Sequence, residues 1–152
     1  MARLIHMSEA ASLALHGALL LASPEGRRWT VRELAKEVAA SEAHFYKVIQ
    51  RLAHQGLVRS IRGPGGGVEL TRPPETISFL EIYEAVEGPL SPAGCLLGRP
   101  SCPVPGCCFD GLLEAASAQI EDYLAHTTLG EYWRRSEGQG GGPGGPGTAE
   151  PG

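Results

Sequence analysis

From Ser8 onward, apolar residues recur at helical spacing: Ala11, Leu15, Ala18 and Ala22 share one face, Ser8 stands at a capping position, and Pro24 with Gly26 closes the run. Thr30 followed by Glu33 forms a capping-box pattern, and Val31, Leu34, Ala35 and Val38 give the stripe of a helix of about two turns. Beyond Ala39 and Ala40, Ser41 opens a third helix whose buried face is Phe45, Val48, Ile49 and Leu52, with Gly56 as its stop. The pattern therefore predicts two short amphipathic helices around a tight turn.

The period then changes. Leu57–Ile61 and Val68–Leu70 read as strands joined by Arg62-Gly63-Pro64-Gly65-Gly66-Gly67, a small hairpin or wing. Ser78 and Glu81 form a second capping box ahead of Phe79, Ile82, Tyr83 and Val86, and Gly88-Pro89 ends that helix. A loop rich in Gly and Pro runs from Gly88 to Cys108. A longer helix from about Phe109 to His126 carries a seam of Leu113, Ala116, Ile120 and Leu124 that suits pairing with a second copy. Of the last seventeen residues, Ser136 to Gly152, eleven are Gly or Pro, which predicts disorder. The expected fold is mainly α with a small β-wing. It divides into a winged helix-turn-helix over residues 1–75, a helix, cysteine loop and long dimerisation helix over 76–133, and a disordered Gly/Pro-rich tail over 134–152.

At 152 residues and 42% hydrophobic content the chain can bury one core and leaves little room for two large domains. Its apolar run Leu13–Ala22 is interrupted by His16 and is too short to span a bilayer, so neither a signal peptide nor a membrane partner is expected and the protein reads as cytoplasmic. A net charge of -4 argues against nucleic acid at first sight. The distribution reverses that. Residues 1–75 hold ten basic against seven acidic side chains, whereas residues 76–152 hold three against ten.

An α-helix fits the major groove only if its outward face carries hydrogen-bonding side chains and its inward face is apolar. Glu42, Ala43, Tyr46, Lys47, Gln50 and Arg51 are the outward positions of the third helix, and its first residues are placed to meet bases. In the wing, Arg59 and Arg62 flank a tip where Gly63 and Gly65 let the backbone approach the duplex. The plain alternative is a helical hairpin with a solvated face and a surface turn. A nucleotide-binding loop at Gly63–Gly67 lacks the Lys, the Ser or Thr and the following helix. No catalytic constellation, cofactor fingerprint or small-molecule substrate site emerges, so an enzyme is not expected.

All four cysteines, Cys95, Cys102, Cys107 and Cys108, fall within fourteen positions, unlike a disulfide scaffold that staples distant segments. Clustered soft thiolates suit an iron-sulfur centre or zinc, yet no Cys-x-x-Cys pair of a zinc ribbon is present. Adjacent Cys107 and Cys108 are expected to point in different directions, so that one of them is not expected to bind the same ion as the other.

Five segments, Ser12–His16, Val31–Ala35, Leu57–Gly67, Ala85–Gly88 and Thr127–Leu129, resemble in order the recurrent blocks of the regulators typified by IscR, NsrR and RirA. The likeness covers about residues 4–133, and its most specific part is the block ending Arg62-Gly63-Pro64-Gly65-Gly66-Gly67. It implies a homodimeric repressor on a near-palindromic site in double-stranded DNA, controlled by an iron-sulfur cluster (2Fe-2S or 4Fe-4S). Counted back from Thr128-Leu129-Gly130, Cys95, Cys102 and Cys107 match the family's ligand triplet. The fourth ligand stays open. Relatives with an acidic residue in the first helix have Ser12 as their counterpart here, and those with a histidine after the last cysteine have Asp110, so Cys108, Asp110, Glu9 or a small molecule remain candidates. A metal-free thiol regulator of the same fold and an iron-sulfur carrier are the alternative readings.

Overall fold

In the computed structural model, which describes residues 7–90, 103–109 and 111–138, each of the first four helices starts on a side-chain cap. Helix α1 spans Glu9–Leu21, and its cap Ser8 accepts the Ala11 amide at 3.0 Å while donating to Glu87. Helices α2 (Val31–Glu37) and α4 (Phe79–Glu87) open on complete capping boxes, Thr30 with Glu33 and Ser78 with Glu81. Helix α3, Glu42–His54, is capped by Ser41, whose Oγ accepts from the His44 amide at 3.2 Å.

The capping carboxylates make the fold sensitive to acid. Hydrogen bonds from the Thr30 backbone and hydroxyl, then from Arg27, hold the Glu33 pKa below its ordinary value. For Glu81 partial burial pushes upward but is outweighed by the Ser78 amide and by Arg72, whose Nη2 lies 2.6 Å away, so the net shift is again downward. A carboxyl whose pKa is lowered by folding stabilises the native state above the unfolded value, here 4.5, and loses that contribution as pH falls through the folded value. Melting temperatures of Glu33→Gln and Glu81→Gln, in which the amide can keep the cap, should therefore fall less steeply than wild type as pH drops below 4.5.

Strands β1 (Val58–Ile61) and β2 (Gly67–Leu70) pair antiparallel, with Arg59 opposite Glu69 and Ile61 opposite Gly67. Strand β1 begins one residue later than the alternation predicts, because the Leu57 amide still bonds to the Leu52 carbonyl at 3.0 Å and its side chain enters the core. The Trp29 carbonyl accepts from the Val68 amide at 2.7 Å and adds a one-residue third strand.

The core lies where α1, α3 and α4 meet. Phe45, Leu34, Leu52, Ile77, Ile82 and Leu129 are its largest fully buried side chains, and α2 packs on α3. Phe79, Ile82, Val86 and Leu129 belong to the same buried cluster as Ala11 and Phe45, so packing continues across the boundary expected at 75/76. Backbone bonds at the Ser78–Thr128 bridge reinforce that continuity, Phe79 N to Thr127 O at 2.9 Å and Leu129 N to Ile77 O at 3.0 Å.

Two expectations about the carboxyl-terminal half need correction. Helix α5 runs Leu112–His126 rather than from Phe109, because Gly111 adopts a left-handed φ of 78° and the Leu112 amide closes a turn on the Phe109 carbonyl. A further helix, α6 over Leu129–Gly138, extends into the segment expected to be disordered from 134. Trp133 anchors it on α1 by donating Nε1–H to the Leu19 carbonyl at 2.9 Å, and an Arg135–Glu131 ion pair braces its exposed side.

Candidate nucleic-acid interface and cysteine loop

Helix α3 follows α2 through a turn in which Ala39 takes a left-handed φ of 54° and the Ala40 amide bonds back to the Ala35 carbonyl at 2.9 Å. That turn fixes α3 so that Phe45, Val48, Ile49 and Leu52 point inward. Glu42, Ala43, Tyr46, Lys47, Gln50 and Arg51 are all exposed, as the periodicity requires, and Tyr46 keeps 51% of its surface.

Two of the basic residues assigned to DNA have partners within the chain. The Arg51 guanidinium donates through Nη1 to the Val86 carbonyl at 2.9 Å, at the end of α4. Arg59 is held by Glu69 across the hairpin, Nη2 to Oε1 at 2.5 Å, although 69% of its side chain stays exposed. Arg62, at the mouth of the wing loop, is exposed and lies in no ion pair among the described residues. Gly63 and Gly65 both have positive φ, 94° and 72°, so the tip conformation is one that other residues rarely adopt.

Sequence reasoning missed Arg28. It donates through Nη1 to the Gly65 carbonyl at 2.8 Å and so reaches the wing from the segment before α2. The available signal was the Arg27-Arg28 pair beside Trp29, but only the chain's return at Val68 makes the two segments neighbours.

Of the candidate metal ligands, Cys95, Cys102 and Asp110 lie outside the described residues. Cys107 and Cys108 are described; both are exposed free thiols in the turn leading to α5. Among the described residues no three His, Cys, Asp or Glu side chains come together as a metal site. The donor chemistry of two accessible sulfurs nevertheless fits a thiophilic iron centre, with the remaining ligands to come from elsewhere. Ser12 is half-buried on α1 and lines a cleft of about 500 Å³ with His16, Glu37 and Trp133. His16, exposed on α1, bonds through Nδ1 to the Ser12 carbonyl at 2.7 Å.

A turn-linked helix pair followed by a glycine-tipped hairpin over a shared core defines a winged-helix, DNA-binding protein. The Rrf2 family, described as iron-dependent transcriptional regulators, matches residues 7–134, and the chain belongs to it. An HTH-type transcriptional regulator of Haemophilus influenzae is 33% identical over 108 residues, 70% of this chain and 71% of that protein. Among solved structures, the chain is similar to CymR, the global cysteine regulator of B. subtilis, with a TM-score of 0.71 and 24% identity over 87% of this chain and 98% of that one. It is similar also to T. potens IscR, with a TM-score of 0.70 and 23% identity over 92% of this chain and 94% of that one. The protein is thus a transcriptional regulator that binds DNA, and not an enzyme. Among the described residues no helix is long and apolar enough to cross a membrane.

Proposed function

We propose that this regulator acts as a repressor that binds a near-palindromic operator as a homodimer, and that an iron-sulfur cluster, 2Fe-2S or 4Fe-4S, held by Cys95, Cys102 and Cys107 sets its affinity. The observation that carries this reading is the position of the cysteine loop. It leaves α4 at Gly88 and ends at α5, and α4 is tied to the recognition helix by the Arg51–Val86 bond. A rearrangement of the loop thus has a short mechanical route to α3. The family's description as iron-dependent supports iron at these thiols.

On α5, Leu112, Ile120 and Tyr123 are exposed, and the last two line an apolar groove of about 460 Å³ with Met7, Leu15 and Phe79. This surface supports pairing with a second copy; Leu124, expected in the seam, is instead buried in the chain's own core. On DNA, Glu42, Ala43 and Tyr46 would face bases, Lys47 and Gln50 the bases or the adjacent phosphates, and the wing with Arg59, Arg62, Gly63 and Gly65 the flanking backbone. When bound, the cluster supplies a redox-active, nitric-oxide-reactive centre. Cys108, Asp110, Glu9 and a small molecule are the candidates for its fourth ligand, Glu9 being exposed in the first turn of α1. The effector shifts binding only by its differential affinity for two loop arrangements, so affinity and cluster state must change together.

Protein purified without oxygen is expected to be brown, to contain iron and sulfide, and to change its DNA affinity on exposure to air or nitric oxide. The triple variant Cys95→Ser, Cys102→Ser, Cys107→Ser should be colourless and unresponsive. A variant that still responds like wild type would defeat the sensor reading. Exposure of the adjacent thiols Cys107 and Cys108 favours the second reading, a metal-free thiol switch, which predicts colourless wild-type protein whose affinity changes with oxidant and recovers with dithiol.

A further inference from the structure

Residues 27–30 form a bracket between α2 and the wing. On one side, a single carboxylate, Glu33, accepts from the Thr30 amide at 2.9 Å and from Arg27 Nη2 at 3.0 Å, while the Arg27 guanidinium lies 4.0 Å from the centre of the Trp29 ring. On the other side, the Trp29 carbonyl accepts from the Val68 amide at 2.7 Å, and Arg28 Nη1 reaches the Gly65 carbonyl at 2.8 Å. The approach is close enough that a Cβ on Gly67 would stand 2.4 Å from the Trp29 oxygen.

The wing tip has little with which to order itself. It consists of glycines and one proline between Arg62 and Val68, and its one internal backbone bond runs from the Gly66 amide to the Gly63 carbonyl at 2.9 Å. A glycine segment loses more conformational freedom on ordering than any other, and a loop fixed before its ligand arrives avoids paying that loss at binding. The fixing contact must then come from outside the loop. We propose that Arg28 is a positioning residue for DNA binding, whose hydrogen bond to Gly65 holds the wing tip in its DNA-ready shape and leaves Arg62 as the cation presented to the duplex. This rests on the reading that the wing meets DNA.

The test uses the full chain and a duplex selected by the wild-type protein from random sequence. Arg28→Ala is expected to bind that duplex about tenfold more weakly, with the slope of log affinity against log salt unchanged, as befits a lost charge-assisted hydrogen bond away from phosphate. Amide hydrogen exchange at Gly65, Gly66 and Gly67 should accelerate in the free protein, and Arg28→Lys, which can still reach a carbonyl, should recover part of the affinity. A slope smaller by about 0.9 would show that Arg28 itself neutralises a phosphate and would overturn the proposal. Unaltered affinity would overturn it as well. Arg62→Ala separates the two levels: if it weakens binding while Arg28→Ala does not, only the tether fails, and if neither variant matters, the wing contact fails too.

Discussion

Replacing Phe45 by alanine is expected to cost about 3–5 kcal/mol of folding stability, enough to leave little native protein at physiological temperature. Phe45 is fully buried on the inward face of α3, and its ring lies against Gly17 of α1. A Cβ built on Gly17 would stand 2.7 Å from Phe45 Cζ, so the aromatic ring occupies the space that the glycine leaves. Truncation opens a cavity that a rigid three-helix junction cannot collapse to fill. The reciprocal change, Gly17→Ala, overpacks the same contact and is expected to cost about 1–3 kcal/mol. Because the two residues are in contact, Phe45→Leu combined with Gly17→Ala should be less destabilising than the sum of the two single changes, which urea unfolding measures directly. Strict additivity would remove this contact as the origin of both effects.

The second large effect concerns assembly. Ile120→Asp with Tyr123→Asp places two carboxylates on the α5 face proposed to meet a second copy. Both positions are exposed in the single chain, at 36% and 53%, so the monomer keeps its fold. Analytical ultracentrifugation should find a monomer, and operator affinity should drop by about hundredfold or more, because two linked readers lose their mutual effective concentration. Circular dichroism should stay close to wild type. A variant that remains dimeric would move the interface away from this face of α5.

Helix starts were legible because a cap is a local device. Ser8, Thr30, Ser41 and Ser78 all do what their position in the sequence implies, and two of them have the reciprocal glutamate three residues on. The wing was equally legible, since few structures other than a hairpin tip need Gly63 and Gly65 at positive φ between short β-branched runs. Contacts made by chain return were not. Arg51 and Arg59 are outward by periodicity, but nothing local tells that Val86 and Glu69 wait for them 35 and 10 residues away. Helix α6 was hidden by composition: the glycine-rich run beyond it dominates the window, and its stability comes from Trp133 reaching Leu19, 114 residues distant. The cysteine loop was the clearest chemical signal in the sequence, and which of its thiols share one centre is the part that spacing alone cannot specify.

The tie between Arg51 and Val86 also limits how much text the recognition helix can read. With that guanidinium engaged, the outward side chains left for a groove run from Glu42 to Gln50, a stretch of helix about 12 Å long at the usual rise. At 3.4 Å per base pair this corresponds to a word of about three or four base pairs for each copy of the helix. So short a word recurs by chance throughout any genome. In the proposed dimer, selectivity would then lie largely in the distance between two such words and in how willingly the intervening duplex bends to present both.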